Sequence, residues 1–227
     1  MTARGISVHG PRGPVFENVD VNVPAGGLLV VHGPAGSGRT SALLALSGRM
    51  RLHTGTVRVG RHRASGAAAG RVRQLVAVAR ADGAVAAEGR LRVRELIAER
   101  CWLEPGVTRR AVVEAARPLG LHLRAATLIE DLPPLDALLL DLALALAAGP
   151  PVLAVDAVDR DFTGHDRDQA WQALAAVTAT GRTVLSTAAQ PPVPLPEGAV
   201  LLALPHRSTG LPVGRAAHAT PAREVTA

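Results

Sequence analysis

Eight consecutive residues, Gly33-Pro34-Ala35-Gly36-Ser37-Gly38-Arg39-Thr40, have the composition of a loop that holds phosphate. They fit G-x-x-x-x-G-[K]-[ST] at every fixed position but one, because Arg39 stands where lysine is usual. Gly36 and Gly38 allow the backbone to turn so that successive N–H groups point inward around an anion. A helix starting near Arg39 adds its positive end. The Thr40 hydroxyl suits a Mg²⁺ ion shared with the phosphates, and Ser41 completes the candidate contact set. Arg39 keeps the positive charge, but a guanidinium fork is larger and more directional than an ammonium. Binding is therefore favoured over alignment of a terminal phosphate.

A second element agrees with the first. Val152-Leu153-Ala154-Val155-Asp156 reads as an apolar strand ending in a carboxylate, with Asp156 placed to reach Mg²⁺ through water. Any buried strand can end in Asp, and GPAGSG alone can be a plain flexible turn. The signal lies in the two occurring together.

Those residues need a scaffold, and the pattern around them supplies one. Leu28–His32 is a continuous apolar run, the kind buried on both faces, and leads directly into the loop. Ala42–Leu46 then reads as a helix stopped by Gly48. Further strands are expected at Val19–Val23, Thr56–Val59, Leu75–Ala79, Thr183–Thr187 and Val200–Leu204, with a link over Ala64–Gly70. Helical spacing marks Leu91–Trp102, Arg109–Leu119, Leu135–Ala148 and Asp168–Ala179. Alternating strands and helices of this kind predict an α/β architecture.

Composition narrows the function classes. The chain has 227 residues, 48% of them apolar, with 23 glycines and 17 prolines. One cysteine, Cys101, excludes a disulfide framework and a cysteine-rich metal site. All 25 basic residues are Arg, and with 42 Ala and no Tyr this reads as coding bias more than design. The net charge of +6 is accordingly discounted; the arginines are scattered and no aromatics interleave them to stack bases, so no nucleic-acid partner is expected. Leu138–Ala148 is too short to cross a membrane and contains Asp141, and Met1–Gly13 has no signal-peptide pattern. A soluble intracellular chain is the expectation.

The chain resembles the ATP-binding subunit of ABC transporters from about Ile6 to Leu204. GPAGSGRTSALLALSG is similar to the family's ATP-holding strand-loop-helix, and Leu91-Arg92-Val93-Arg94-Glu95-Leu96 is similar to a segment of its helical lobe. Leu132–Val158 aligns without gaps to its signature-to-strand block. The resemblance implies a P-loop NTPase fold of ABC-cassette type: a mostly parallel sheet flanked by helices, a helical lobe and a small N-terminal antiparallel part. It implies one domain over 1–205, with the lobe at about 83–131, and a flexible tail over 206–227. ATP and Mg²⁺ are the implied ligands, with His9 where the family stacks an aromatic on adenine. A transmembrane permease and a second cassette, in a homodimer or heterodimer, are the implied partners. The implied location is cytoplasmic, on the inner face of the cell membrane.

The departures from the family pattern concern catalysis. The signature LSGGQ is replaced by Leu132-Pro133-Pro134-Leu135-Asp136, which removes a serine hydroxyl and two backbone donors. The glutamate that polarises water corresponds to Ala157, which accepts no proton. The Mg²⁺-sensing glutamine falls near Arg80, and the switch histidine at Ala188 or Ala189. The expectation is a cassette that binds Mg-ATP and hydrolyses it weakly or not at all alone. An active transport ATPase and a scaffold that has lost nucleotide are the alternatives. A partner with an intact signature makes a heterodimer the favoured assembly. Phe16 is expected in the core, Trp102 and Trp171 in the core or at a partner. The run Asp159, Asp161, Asp166 and Asp168 is expected to be a solvated loop. His206 and His218 receive no role.

Overall fold

The computed structural model describes residues 1–11, 13–65, 69–81, 88–206 and 217–218. Its centre is β3 (Leu28–His32), in which the four apolar residues are buried. β3 lies between β8 (Thr183–Ala188) and β9 (Val200–Ala203), parallel to both. β7 (Val152–Val155) pairs with β8 and with β6 (Val76–Arg80), also in parallel, and β10 (Ala217–His218) pairs antiparallel with β9. The order of this six-stranded sheet is β10-β9-β3-β8-β7-β6.

Both faces of the sheet are covered, which explains why its strands are apolar throughout and do not alternate. Leu29 and Val31 point to one side, where they pack with Ala42, Leu43 and Leu46 of α1 (Arg39–Leu46) and with Ile6, Phe16 and Val19. Leu28 and Val30 point to the other, against Leu138, Leu139 and Leu142 of α5 (Pro134–Leu146) and Leu174 of α6 (Gly164–Ala179). α5 is buried along most of its length because a third cluster takes another face, in which Leu140 and Leu144 meet Val93, Leu96, Ile97 and Val112. Those partners lie on α3 (Val93–Leu103) and α4 (Arg109–Ala116), and a 3₁₀ turn over Arg117–Leu119 continues α4. The helical segment expected between the strands is thus anchored through α5.

The antiparallel part has the order β2-β1-β4-β5, from β1 (Thr2–Gly10), β2 (Gly13–Asn22), β4 (Thr54–Val59) and β5 (His62–Ala64). Register shifts interrupt the β1–β2 pairing between Ala3 and Ile6 and again near Val8 and His9. Such bulges break the period of two, which hides β1 from a pattern reading.

Several boundaries differ from expectation for local reasons. α6 begins at Gly164, because Thr163 Oγ1 accepts from the Asp166 amide, and the polar turn ahead of Asp168 is helical. α3 begins at Val93, where the Glu95 carboxylate accepts from the Arg92 amide. The link expected over Ala64–Gly70 gives way to a short α2 (Gly70–Leu75), and its residues 66–68 lie outside the described set. Phe16 is in the core as expected, and so is Trp171. Trp102 is not: it is 83% exposed at the end of α3. Of the expected tail, residues 207–216 and 219–227 lie outside the described residues. Among the described residues, no helix is long and apolar enough to cross a membrane.

Candidate functional site

The loop after β3 enters α1 directly, and two glycines set its path. A Cβ on Gly33 (φ 153°) would fall 2.2 Å from the Leu204 carbonyl oxygen. Gly38 (φ 88°) precedes α1 in the left-handed region, and a Cβ there would come within 2.8 Å of Val15 Cγ1. Any L side chain at either position is strained as well as obstructed. The loop is therefore held between the segment after β9 and the β1–β2 hairpin.

Asp156 follows β7 and is 1% exposed. Thr40 Oγ1 donates to its Oδ2 at 2.7 Å, and Thr187 Oγ1 donates to its Oδ1. The Asp156 amide donates to the Arg80 carbonyl at 3.0 Å. Elements α1, β7 and β8 thus meet at one carboxylate, and the hydroxyl and carboxylate singled out in the sequence are in contact. Thr187 was missed; its only signal is a hydroxyl closing the TVLST run. Its oxygen also accepts from the Ala157 amide at 2.8 Å, which fixes Ala157 with φ 52°.

Around that point the loop has unfilled polar capacity. Ser37 is 2% exposed, and its Oγ has no hydrogen-bond partner. Half-buried Arg39 forms no hydrogen bond or ion pair among the described residues. Burial, and then the nearby Arg39 charge, push the His32 imidazole down from its ordinary value and so favour its neutral form. A half-buried cation, an orphaned hydroxyl and the start of α1 suit an anionic ligand, so these residues fit a nucleotide polyphosphate with Mg²⁺ at Thr40 and Asp156.

His9 lies on the same hairpin as Val15, opposite Pro14. Its ring stacks on His53 with centroids 3.9 Å apart and an interplanar angle of 16°, and its Nε2 is 3.3 Å from Glu17 Oε1. His53, not singled out in the sequence, therefore covers one face of the candidate base-stacking ring.

The expected catalytic positions lie around this centre. Ala188 ends β8 and is fully buried. The amides of Ala189 and Gln190 donate to the Asp159 carboxylate at 2.9–3.2 Å. Asp159 was expected to be solvated; it instead ties the segment after β7 to the one after β8. No group of three or more His, Cys, Asp or Glu residues among those described is arranged to hold a metal ion. Pro133 and Pro134 start α5, whose first turn contains Asp136, a position where missing N–H groups cost the helix little.

Arg80 ends β6, and its Nε donates to Asp141 Oδ2 on α5 at 2.8 Å. Burial raises the Asp141 carboxyl above its usual range, against the pull of Arg80 and Arg100. Asp141→Ala would leave a half-buried guanidinium unpaired, at about 1–2 kcal/mol. Its thermal midpoint is expected to fall by roughly 2–8 °C, with much of that recovered in Arg80→Met/Asp141→Leu. The raised carboxyl also sets a sign with pH. On Asp141's account stability is highest below the ordinary carboxylate range and declines as pH rises through the shifted value. Calorimetric melts of parent and Asp141→Asn across that range check it: the decline should vanish in the variant.

Residues 16–177 match the family model described as ABC transporter. A 57-residue stretch, 25% of the chain, is 46% identical to the hemin import ATP-binding protein HmuV of Rhodococcus jostii, and it spans only 20% of that relative. Among solved structures, a bacterial ABC transporter cassette in dimeric form superposes with a TM-score of 0.75, 16% identity, and coverage of 96% of this chain and 97% of that one. The protein cbiO1 of Clostridium perfringens, part of an ABC transporter complex, gives 0.74 at 13% identity, covering 95% and 86%. At these identities the two structures speak to the fold.

Proposed function

The chain belongs to the ABC transporter family of ATP-binding proteins, and from that premise we propose that it binds Mg-ATP through Gly33–Thr40 and hydrolyses it weakly or not at all by itself. The observation that carries the binding half is the 2.7 Å contact between Thr40 Oγ1 and the buried Asp156 carboxylate. It puts a hydroxyl and a carboxylate at the mouth of a loop whose cation has no hydrogen bond or ion pair among the described residues. Bound Mg²⁺ supplies charge neutralisation between phosphates. The chain's own part is to orient: Gly36, Gly38, Arg39 and Thr40 present amides, while that of Ser37 donates to the Pro34 carbonyl at 3.2 Å; Arg39 supplies the cation, and Thr187 fixes the carboxylate. Ala157, Ala188, Ala189 and Arg80 support the non-hydrolytic half, since none offers the proton acceptor or imidazole the family uses there. A transmembrane permease and a second cassette with an intact signature are the proposed partners.

Arg39 provides the direct test. A charge-assisted hydrogen bond to phosphate contributes roughly 1.5–3 kcal/mol, so Arg39→Ala is expected to weaken Mg-ATP binding about tenfold to a hundredfold. Arg39→Lys should hold or tighten it. Titration calorimetry on the full chain measures both. Equal affinity of Arg39→Ala and parent would remove the phosphate-loop assignment.

A further inference from the structure

The parallel pairing of β7 with β8 ends at Val155 and Ser186, although β8 continues along β3 to Ala188. Contacts of another kind then carry the two segments forward together. Ala157 turns into the left-handed region (φ 52°), and its amide donates to Thr187 Oγ1 at 2.8 Å. The Val158 amide donates to the Thr187 carbonyl at 2.9 Å. The half-buried Asp159 comes next, and there the direction of donation reverses. Its carboxylate accepts from the Ala189 amide at 2.9 and 3.0 Å and from the Gln190 amide at 3.2 Å. An aspartate after a strand ordinarily caps its own turn. The amides that Asp159 takes lie 30 positions further along the chain, just after the residue that holds Asp156.

We propose that Asp159 is a positioning residue for the Mg²⁺ site, acting through Thr187 on the Asp156 carboxylate. This rests on the Mg-ATP reading above and adds a residue to it. The Thr187 hydroxyl has two tasks, to accept from the Ala157 amide and to donate to Asp156. Both depend on where the backbone carries that oxygen, because a hydrogen bond weakens steeply as its angle closes. Ahead of Thr187 the backbone is held by pairing with β3. Behind it, Asp159 holds the exposed Ala189 and Gln190. The task asks for an acceptor in the right place and not for a negative charge, since both donors are neutral amides.

The test compares the full chain as parent, Asp159→Ala and Asp159→Asn. ATP is titrated with and without Mg²⁺, and hydrogen exchange at the Ala157 amide is followed by NMR with no ligand present. Asp159→Ala is expected to weaken Mg-ATP binding roughly two- to tenfold, the range for one net hydrogen bond, and to leave metal-free ATP binding as in the parent. Exchange at Ala157 should quicken, because its acceptor is the Thr187 hydroxyl. Asp159→Asn should restore both readouts, since one amide oxygen in the place of Oδ2 accepts from both Ala189 and Gln190. With a parent that binds Mg-ATP, three results overturn the role of Asp159 and leave the Mg-ATP reading standing. These are parent-like Mg-ATP affinity in Asp159→Ala, an equal loss with and without Mg²⁺, and an Asn variant as weak as the Ala variant. A parent that binds no Mg-ATP overturns the Mg-ATP reading and the role of Asp159 with it.

Discussion

Asp156→Ala is expected to abolish the Mg²⁺ dependence of ATP binding and to lower the thermal midpoint by roughly 6–12 °C. Two effects combine in this residue. Its carboxylate is the single acceptor on which Thr40 and Thr187 converge, so removing it leaves two hydroxyls without their partner. At about 1–3 kcal/mol for each buried group left unsatisfied, the loss is about 3 kcal/mol, and a chain of this size loses roughly 2–4 °C per kcal/mol. The same substitution deletes the carboxylate that, among the described residues, contacts Thr40. Asp156→Asn separates the two effects: it keeps the shape and one acceptor, so stability should fall by less while the Mg²⁺ dependence is lost equally. ATP titrations with and without Mg²⁺, beside melting curves, read both. An Asn variant that still binds more tightly with Mg²⁺ would remove Asp156 from the proposed metal site.

Steady-state phosphate release by the chain alone, with Mg-ATP saturating, should sit at background, and Ala157→Glu should leave it there. A general base contributes typically 10²–10⁴ in rate, so a single missing carboxylate would invite a large recovery. Several groups are missing together, however. Ala188 and Ala189 offer no imidazole, and Pro133 and Pro134 open α5 without the donors a partner's site would require. Groups that act on one transition state are strongly non-additive, and restoring one returns little. Recovery should come only when a cassette with an intact signature is added. Turnover of about 1 s⁻¹ or faster by the isolated chain, the low end of ordinary enzyme rates, absent in Asp156→Asn, would overturn the non-hydrolytic reading and favour an active ATPase.

How much was legible in the sequence depended on whether the signal was local. Leu28–His32 and Val152–Val155 have the expected bounds, because strands covered on both faces read as uninterrupted apolar runs between glycines. The loop was legible because its spacing is itself the mechanism. β1 was not, since its bulges break alternation, and the start of α6 was displaced because its first turn is polar and stabilised by a cap instead of burial. In the site, Thr40 and Asp156 were named, but Thr187 and His53 were not, and Asp159 was read only as part of a solvated loop. Each of these works through a neighbour brought from a distant part of the chain. A lone hydroxyl, carboxylate or imidazole has no periodicity, and only the fold tells it from a solvated one.

The position of β3 between β8 and β9 carries a consequence for the order in which this protein can form. In this sheet β3 is paired on both edges, and both partners come from far along the chain: Ser186 Oγ donates to the Leu29 carbonyl across 157 positions. During synthesis, the loop and α1 emerge early and then have neither flanking strand, while the β1–β2 hairpin can already close on itself. The long loop must be closed before these contacts give any return, which makes such pairings slow. The phosphate cradle is therefore among the last parts to assemble, after Leu204 has left the ribosome. A nascent chain arrested before β8 should have a protease-resistant N-terminal hairpin and no affinity for nucleotide.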